Sequence, residues 1–162
     1  MTQRRAFAIA IAIFIVDQIV KWWMIGPLDL EAVGSIYILP FFNLTWVENR
    51  GISLGMLQAT SDAMRWGLVA ATAIIAGLVA WWITRPGDAG DRAGFALILG
   101  GALGNIVDRV RFGYVVDFLD LHIGEFRPFY VFNIADAAIT IGVVLLLARA
   151  FWPRNAEEKQ HA

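Results

Sequence analysis

The chain has 162 residues, of which 59% are hydrophobic and 17% charged, and its formal net charge is -1. Soluble domains contain about 45–50% hydrophobic and about 25% charged residues, so this composition indicates a membrane protein and gives no basis for binding nucleic acid. The absence of cysteine excludes disulfides and thiolate nucleophiles, and two histidines, His122 and His161, argue against a histidine-based zinc site. We therefore expect no metal and no organic cofactor, and assign any chemistry to carboxylates or hydroxyls.

Four apolar segments are long enough to cross the membrane as helices. A helix rises about 1.5 Å per residue, so about 20 residues span about 30 Å of hydrocarbon. The predicted helices cover residues 6–25, 65–84, 93–112 and 132–152. Lipid satisfies no backbone polar group, which excludes irregular spans. The sequence thus predicts one domain over residues 1–162, an all-α membrane protein with a minor β component.

Two longer connections, residues 26–64 and 113–131, carry the remaining structure. Residues 35–47 and 114–121 are rich in β-branched and aromatic side chains, which is typical of strands. We expect a small sheet on the outer membrane surface. Residues 52–57 are predicted to add a short interfacial helix.

Basic residues favour one orientation. Positive side chains concentrate on the cytoplasmic side of membrane proteins. Here they flank the short second connection and both ends of the chain, at Arg4, Arg5, Arg85, Arg92, Arg154 and Lys159. Both termini are therefore expected in the cytoplasm and the two longer connections outside it.

Charged residues inside predicted spans are candidates for function, since each costs about 2.5–3.5 kcal/mol at the centre of a membrane helix. Asp17 and Lys21 are four residues apart in the first helix, so they lie on one face and can pair. The pair is either a packing ion pair, with Lys21 reaching out to the surface, or a contact for a substrate.

The third helix carries a glycine face that continues into polar residues at its outer end. The spacing of the glycines lets a neighbouring helix approach closely. The face comprises Gly100, Gly101, Gly104, Asn105, Asp108 and Arg109. The polar members either form a helix terminus with an Asp108–Arg109 surface pair or point into the bundle.

Asp117 and Asp136 flank the last outer connection. Asp136 also fits ordinary helix capping behind Asn133, and Asp117 fits a solvated loop carboxylate. If the outer ends of the third and fourth helices are adjacent, however, the two carboxylates can converge. Two carboxylates at one site do not both ionise readily, so one supplies a base that activates water and the other an acid. This chemistry cleaves an amide without a covalent intermediate.

Two other functions remain as alternatives. Gly51 to Gly55 matches the G-x-S-x-G pattern around Ser53, which would indicate a serine hydrolase, although no histidine base is evident nearby. A proton-coupled transporter or membrane scaffold would use a relay of Asp17, Lys21, Asp108 and Asp136. A relay needs acidic groups across the full depth of the membrane, and these cluster at the outer end.

Five blocks together resemble the lipoprotein signal peptidase family, also called signal peptidase II, over nearly the whole chain. They are VDQIVK (16–21), NRGISLG (49–55), GGALGNIVDR (100–109), VVDF (115–118) and FNIAD (132–136). One departure is Ser53-Leu54, where the family often has alanine followed by an aromatic residue, which bears on fine substrate fit.

The resemblance implies four membrane helices with a small extracytoplasmic β-cradle, in the inner membrane of a bacterium. It implies that Asp117 and Asp136 are the catalytic dyad. Residues implied to line or support the site are Asn49, Gly51, Asn105, Asp108, Arg109 and Asn133, with Asp17 and Lys21 behind them. The implied substrate is a diacylglyceryl-modified prolipoprotein, cut just before the lipidated cysteine. The implied enzyme is a monomer surrounded by membrane lipid and inhibited by cyclic peptides such as globomycin.

Overall fold

Four long helices dominate the computed structural model, which describes residues 1–52, 57–58 and 62–151. The helices are α1 (Gln3–Ile25), the single-turn α2 (Leu30–Val33), α3 (Asp62–Ile83), α4 (Ala89–Arg111) and α5 (Ile134–Phe151). All except α2 are long and apolar enough to span a membrane. The four predicted membrane helices are confirmed, each within a few residues of its predicted bounds.

Capping residues explain where the helices begin. The Thr2 hydroxyl accepts a hydrogen bond from the Arg5 N–H, so α1 begins at Gln3. Helix α4 begins four residues earlier than predicted. Asp88 occupies the N-cap position and Asp91 lies in the first turn, where the helix dipole stabilises negative charge. The Asn133 Oδ1 atom accepts the Asp136 N–H at 2.8 Å, as the sequence indicated for the start of α5.

Helix α4 lies at the centre and packs against α1, α3 and α5. Its glycines make this possible. A Cβ atom on Gly100 would lie 2.6 Å from the carbonyl oxygen of Ala10 in α1, and a Cβ on Gly101 would collide with the carbonyl oxygen of Ala135 in α5. The predicted close approach at the glycine face is confirmed.

This packing gives a matched pair of glycine predictions. Gly101→Ala should force α4 and α5 apart beside the candidate site, because the obstacle is backbone rather than a movable side chain. We expect a loss of about 2 kcal/mol or more in stability, the usual range for overpacking, and reduced activity. Gly77→Ala on α3, where an added Cβ meets nothing within 4 Å, should be tolerated. Thermal unfolding in detergent compares the two variants, and equal midpoints would contradict this account of α4 packing.

A three-stranded antiparallel sheet covers one end of the bundle. It contains β1 (Ser35–Leu39), β2 (Phe42–Asn49) and β5 (Val115–Leu121), in the order β1-β2-β5. The pairing aligns Val47 with Asp117 and Asn49 with Val115. The strands predicted in residues 35–47 and 114–121 are therefore present, and their register brings the end of β2 next to Asp117.

A short helix is predicted over residues 52–57, but both ends of this segment are strands. Gly51–Ile52 (β3) and Leu57–Gln58 (β4) pair as an antiparallel ribbon instead. Strand β3 directly continues the extended chain of β2, which favours a hairpin over a helix here. Residues 53–56, including Ser53 of the G-x-S-x-G pattern, lie outside the described residues.

Candidate active site

Asp117 and Asp136 lie against the same asparagine. Asp117 is on β5 with 1% of its side chain exposed, and Asp136 is in the first turn of α5. The Asn133 side-chain amide donates to Asp117 Oδ1 at 2.7 Å, and the Asn133 backbone N–H donates to Asp136 Oδ2 at 3.4 Å. Asn133 is thus both the cap of α5 and the link between the carboxylates. Asp136 therefore takes part in helix capping and also lies beside Asp117, so the two interpretations are compatible.

Two further amides complete the contacts to the carboxylates. Asn105 Nδ2 donates to Asp136 Oδ1 at 2.7 Å, and Asn49 Nδ2 donates to Asp117 Oδ2 at 3.0 Å. The Gly51 N–H donates to Asn49 Oδ1, which fixes that amide with its NH₂ group toward Asp117. Each carboxylate therefore accepts two hydrogen bonds from neutral donors.

The environment of Asp117 favours its protonated form. Burial away from water raises the pKa of the Asp117 carboxyl to about 7, and the neighbouring negative charge of Asp136 acts in the same direction. Hydrogen bonds from Asn49 and Asn133 oppose this shift without cancelling it. Asp117 is therefore suited to hold a proton near neutral pH.

A buried ion cluster lies behind the two carboxylates. Lys21 Nζ is 2.9 Å from Asp17 Oδ2 and 2.7 Å from Asp108 Oδ2, and all three side chains are at most 2% exposed. Lys21 also donates to Asn105 Oδ1 at 3.4 Å. The idea that Lys21 reaches the surface is wrong, since its ammonium is held between two buried acids. The Asp108–Arg109 surface pair is wrong for the same reason: Asp108 is buried and pairs with Lys21.

The acids of the ion cluster hold the backbone next to the candidate dyad. Asp17 Oδ1 accepts the N–H of Ala135, which precedes Asp136, at 3.0 Å. Asp108 Oδ2 accepts the N–H of Val116, which precedes Asp117, at 3.2 Å. The cluster therefore ties α1 and α4 to the backbone on which both carboxylates are mounted.

Two residues occupy less direct positions. The half-buried Arg109 donates to the Asn105 carbonyl at 3.5 Å and lies close enough to Asp136 and Asp117 for electrostatic attraction. Gln18, which the sequence reasoning did not single out, donates to Asp17 at 3.2 Å and to Asp108 at 3.0 Å. Its polarity within an apolar span, next to Asp17, was the available signal.

An apolar groove of about 330 Å³ opens beside α5, and Asp136 lies in its wall. The groove is lined by Leu121, Phe129, Tyr130, Phe132, Asp136, Ala137, Thr140 and Ile141. Ile141 is 59% exposed on the lipid-facing side of α5, so the groove is continuous with the surface that meets the membrane. An apolar segment can reach a carboxylate from the bilayer along this path.

The four-helix membrane bundle with two acids held together at one end has the features of a membrane aspartic peptidase. Residues 9–152 match the family model described as signal peptidase (SPase) II. The chain therefore belongs to the signal peptidase II family of membrane aspartic proteases, which cleave prolipoprotein signal peptides.

Individual relatives agree with the family model. The chain is 64% identical to a lipoprotein signal peptidase of Sphingopyxis alaskensis over 137 residues. This aligned region covers 85% of this chain and 79% of the relative. The chain is 43% identical over 150 residues to one of Caulobacter vibrioides, covering 90% and 86%. A bacterial membrane enzyme solved by the in meso method at 2.3 Å superimposes with a TM-score of 0.79 and 29% identity, covering 98% of this chain and 93% of that one.

Proposed function

We propose that this protein cleaves diacylglyceryl-modified prolipoproteins just before the lipidated cysteine, with Asp117 and Asp136 as its catalytic dyad. The observation that carries the proposal is the contact of Asn133 with both carboxylates, one of which lies in the wall of an apolar groove. A lipid-modified substrate requires such an apolar path from the bilayer to the reacting groups.

In this mechanism a water molecule lies between the carboxylates. Asp136 acts as the base, since two N–H donors and the N-terminus of α5 stabilise its negative charge. Asp117 acts as the acid, in keeping with its raised pKa. Asp136 takes a proton from water as the oxygen attacks the scissile carbonyl, while Asp117 donates its proton to the carbonyl oxygen. As the C–N bond breaks, Asp136 gives the proton it took from water to the amine of the cysteine, and Asp117 takes back a proton from a hydroxyl of the tetrahedral intermediate. The signal peptide leaves with a new carboxyl group, and both aspartates return to their starting protonation states.

The remaining site residues hold the two carboxylates in place and take no part in proton transfer. Asn49, Gly51, Asn105 and Asn133 orient the carboxylates, and Arg109 balances their charge. Asp17, Lys21 and Asp108 fix the backbone beside them. No metal or organic cofactor enters the mechanism. All of these groups come from one chain, which supports a monomer, and a cyclic peptide of the globomycin type is expected to compete with the substrate for the groove.

The proposed orientation puts the site at the outer face of the inner membrane. Arg92 donates to the carbonyls of Met1 and Arg85, so the N-terminus and the α3–α4 connection lie together at the other end of the bundle, with their positive charges. The positive-inside rule assigns that end to the cytoplasm.

The transporter alternative finds no support in the distribution of acids. On α4, Asp91 and Asp108 are 17 positions apart, which is about 25 Å at 1.5 Å per residue. Asp91 pairs with Arg149 at one end of the bundle, whereas Asp17, Asp108 and Asp136 gather at the other. Within the described residues no acid bridges this gap on α4, so a proton relay through the bundle is interrupted.

The proposed function is tested with purified protein and a purified diacylglyceryl-prolipoprotein in detergent. Mass spectrometry should find a product whose first residue is the lipidated cysteine. The matched control substrate has the same sequence without the diacylglyceryl group and should be cut much more slowly. If the lipidated substrate remains intact, the proposal is wrong.

The pH dependence follows from the role of Asp117. The proton of Asp117 is present below about pH 7 and is lost as the pH rises through that value, so kcat/KM should fall on the alkaline side with an apparent pKa near 7. In Asn49→Leu the carboxylate loses a hydrogen bond that stabilises its charged form, and the alkaline limb should therefore move to higher pH.

Asn43→Leu is the control for this profile, because Asn43 is on the same strand but pairs with Asp120, away from the dyad. Two other charged groups, Asp136 and Lys21, also act on the pKa of Asp117, and both are unchanged in the two variants. An alkaline limb that stays in place or moves to lower pH in Asn49→Leu would contradict the assignment of the acid to Asp117.

A further inference from the structure

Thr140 lies in the wall of the apolar groove, one helical turn from Asp136. We propose that the Thr140 hydroxyl forms a hydrogen bond with the backbone of the bound signal peptide, one or two residues before the scissile bond, and so acts as a substrate-binding residue. This inference rests on the proposed function and adds a residue to it.

Thr140 differs from other threonines in the membrane helices. A threonine in a membrane helix normally satisfies its hydroxyl by donating to a carbonyl three or four residues earlier. Thr72 does this toward Leu68 at 2.7 Å, and Thr84, directly after the end of α3, does it toward Trp81 at 2.6 Å. In the described part of the chain, the Thr140 hydroxyl has no such partner. Its hydrogen-bonding capacity is left available in the groove.

The surroundings make that availability significant. Leu121, Phe132 and Ile141 share the groove and offer no side-chain hydrogen bond. A polar group without a partner is costly in an apolar environment, so a ligand that supplies one gains from the contact. Apart from Asp136 and the Tyr130 hydroxyl, the other side chains that line the groove are apolar, so Thr140 marks a defined polar position along its wall.

An extended peptide has the complementary requirement. A peptide that reaches a protease site in extended form has unpaired N–H and C=O groups, and lipid cannot satisfy them. Asp136 and Thr140 are at i and i+4, on one face of α5 and about 6 Å apart along the axis. An extended chain advances about 3.4 Å per residue, so Thr140 faces a peptide group one or two residues from the bond at Asp136.

The direction of α5 selects the side of the scissile bond. In the proposed orientation α5 runs inward from Asp136, so Thr140 lies deeper in the membrane. A signal peptide crosses from the cytoplasm and is cut at its outer end, which puts its last residues on this deeper side. The hydroxyl therefore contacts the signal peptide and not the lipidated cysteine.

The test compares steady-state cleavage of purified diacylglyceryl-prolipoprotein by wild type, Thr140→Val and Thr140→Ser. Valine keeps the shape and removes the hydroxyl, whereas serine keeps the hydroxyl. If the hydroxyl binds the substrate equally in the ground and transition states, its loss in Thr140→Val should raise KM about fivefold and change kcat by less than about twofold. Thr140→Ser should restore KM to within about twofold of wild type. Thr72→Val, on α3, is the control for removing a helix hydroxyl outside the groove.

Three results would overturn the inference. One is a wild-type KM in Thr140→Val, and another is equal loss in the serine and valine variants, which would assign the effect to shape. A fall in kcat together with a lower thermal midpoint in Thr140→Val would assign Thr140 a structural role. These outcomes are distinct from failure of the proposed function, in which wild type itself leaves the lipidated substrate uncut.

Discussion

Asp117→Asn and Asp136→Asn are each expected to lower kcat by at least about a thousandfold, within the range of general acid–base contributions. An amide neither takes a proton from water nor donates one to a carbonyl at neutral pH. The asparagine side chain has nearly the same shape as aspartate, and Asn105, Asn133 and Asn49 can reorient to meet it. Loss of activity should therefore occur in a folded protein.

Asp117→Asn should lower activity but maintain or raise the stability of the fold. The raised pKa of Asp117 means that the unfolded chain loses this proton between about pH 4 and pH 7 while the folded protein keeps it. The carboxyl therefore lowers stability progressively as the pH rises through that window, because folding must retain a proton that water would remove. Asp117→Asn removes this cost, so its thermal midpoint should equal or exceed that of wild type at pH 7 and above.

Asp120→Asn is the matched control for both predictions. Asp120 is a buried aspartate on the same strand, but it pairs with Arg127 and not with the dyad. The variant should remain active and lose some stability, since its ion pair and its hydrogen bond with Thr45 are weakened. An Asp120→Asn variant as inactive as Asp117→Asn would mean that the assay reports damage to the sheet and not loss of chemistry.

Lys21→Met is expected to destabilise the protein by about 3–5 kcal/mol, the usual cost of removing one partner from a buried ion pair. Without the ammonium, Asp17 and Asp108 are two buried carboxylates with no cation between them. Both also hold backbone N–H groups next to the dyad, so their rearrangement should displace Asp117 and Asp136. The variant should lose activity together with stability, measured by thermal unfolding and cleavage of the lipidated substrate.

Two comparisons identify buried charge as the cause. Arg149→Met removes a cation from a partly exposed cluster with Asp88 and Asp91 at the other end of the bundle and should cost less than about 1 kcal/mol. The triple variant Lys21→Met, Asp17→Asn, Asp108→Asn has no charge left to compensate and should recover part of the lost stability. If the triple variant is less stable than Lys21→Met, repulsion between the acids is not the source of the loss.

Much of this structure follows from patterns that are local in the sequence. Runs of apolar residues predict the four membrane helices, because backbone groups in lipid must bond within their own segment. The glycines of α4 predict close helix packing, and Asn133 followed by Asp136 predicts the start of α5. Asp117 and Asp136 were identified as a pair from their positions flanking one loop and from the family blocks.

The interactions that hold Asp117 and Asp136 in place are not local and could not be predicted. Spacing puts Asp17 and Lys21 on one face of α1, but it cannot show that Asp108 joins them, 87 positions beyond Lys21. Nor does any pattern indicate that Asp17 holds the Ala135 N–H. The helix expected at residues 52–57 is wrong at its ends because the pairing of β3 with β4 competes with helix formation, and strand pairing depends on tertiary context.

The most direct test of the central claim is the cleavage of one purified diacylglyceryl-prolipoprotein by wild type, Asp117→Asn, Asp136→Asn and the double variant, side by side and each verified as folded. If the two carboxylates act as one unit on a shared water, each single variant should lose at least about a thousandfold and the double variant should lose little more. Near wild-type cleavage by either single variant would contradict the account, because the aspartate in question would then have no part in the chemistry.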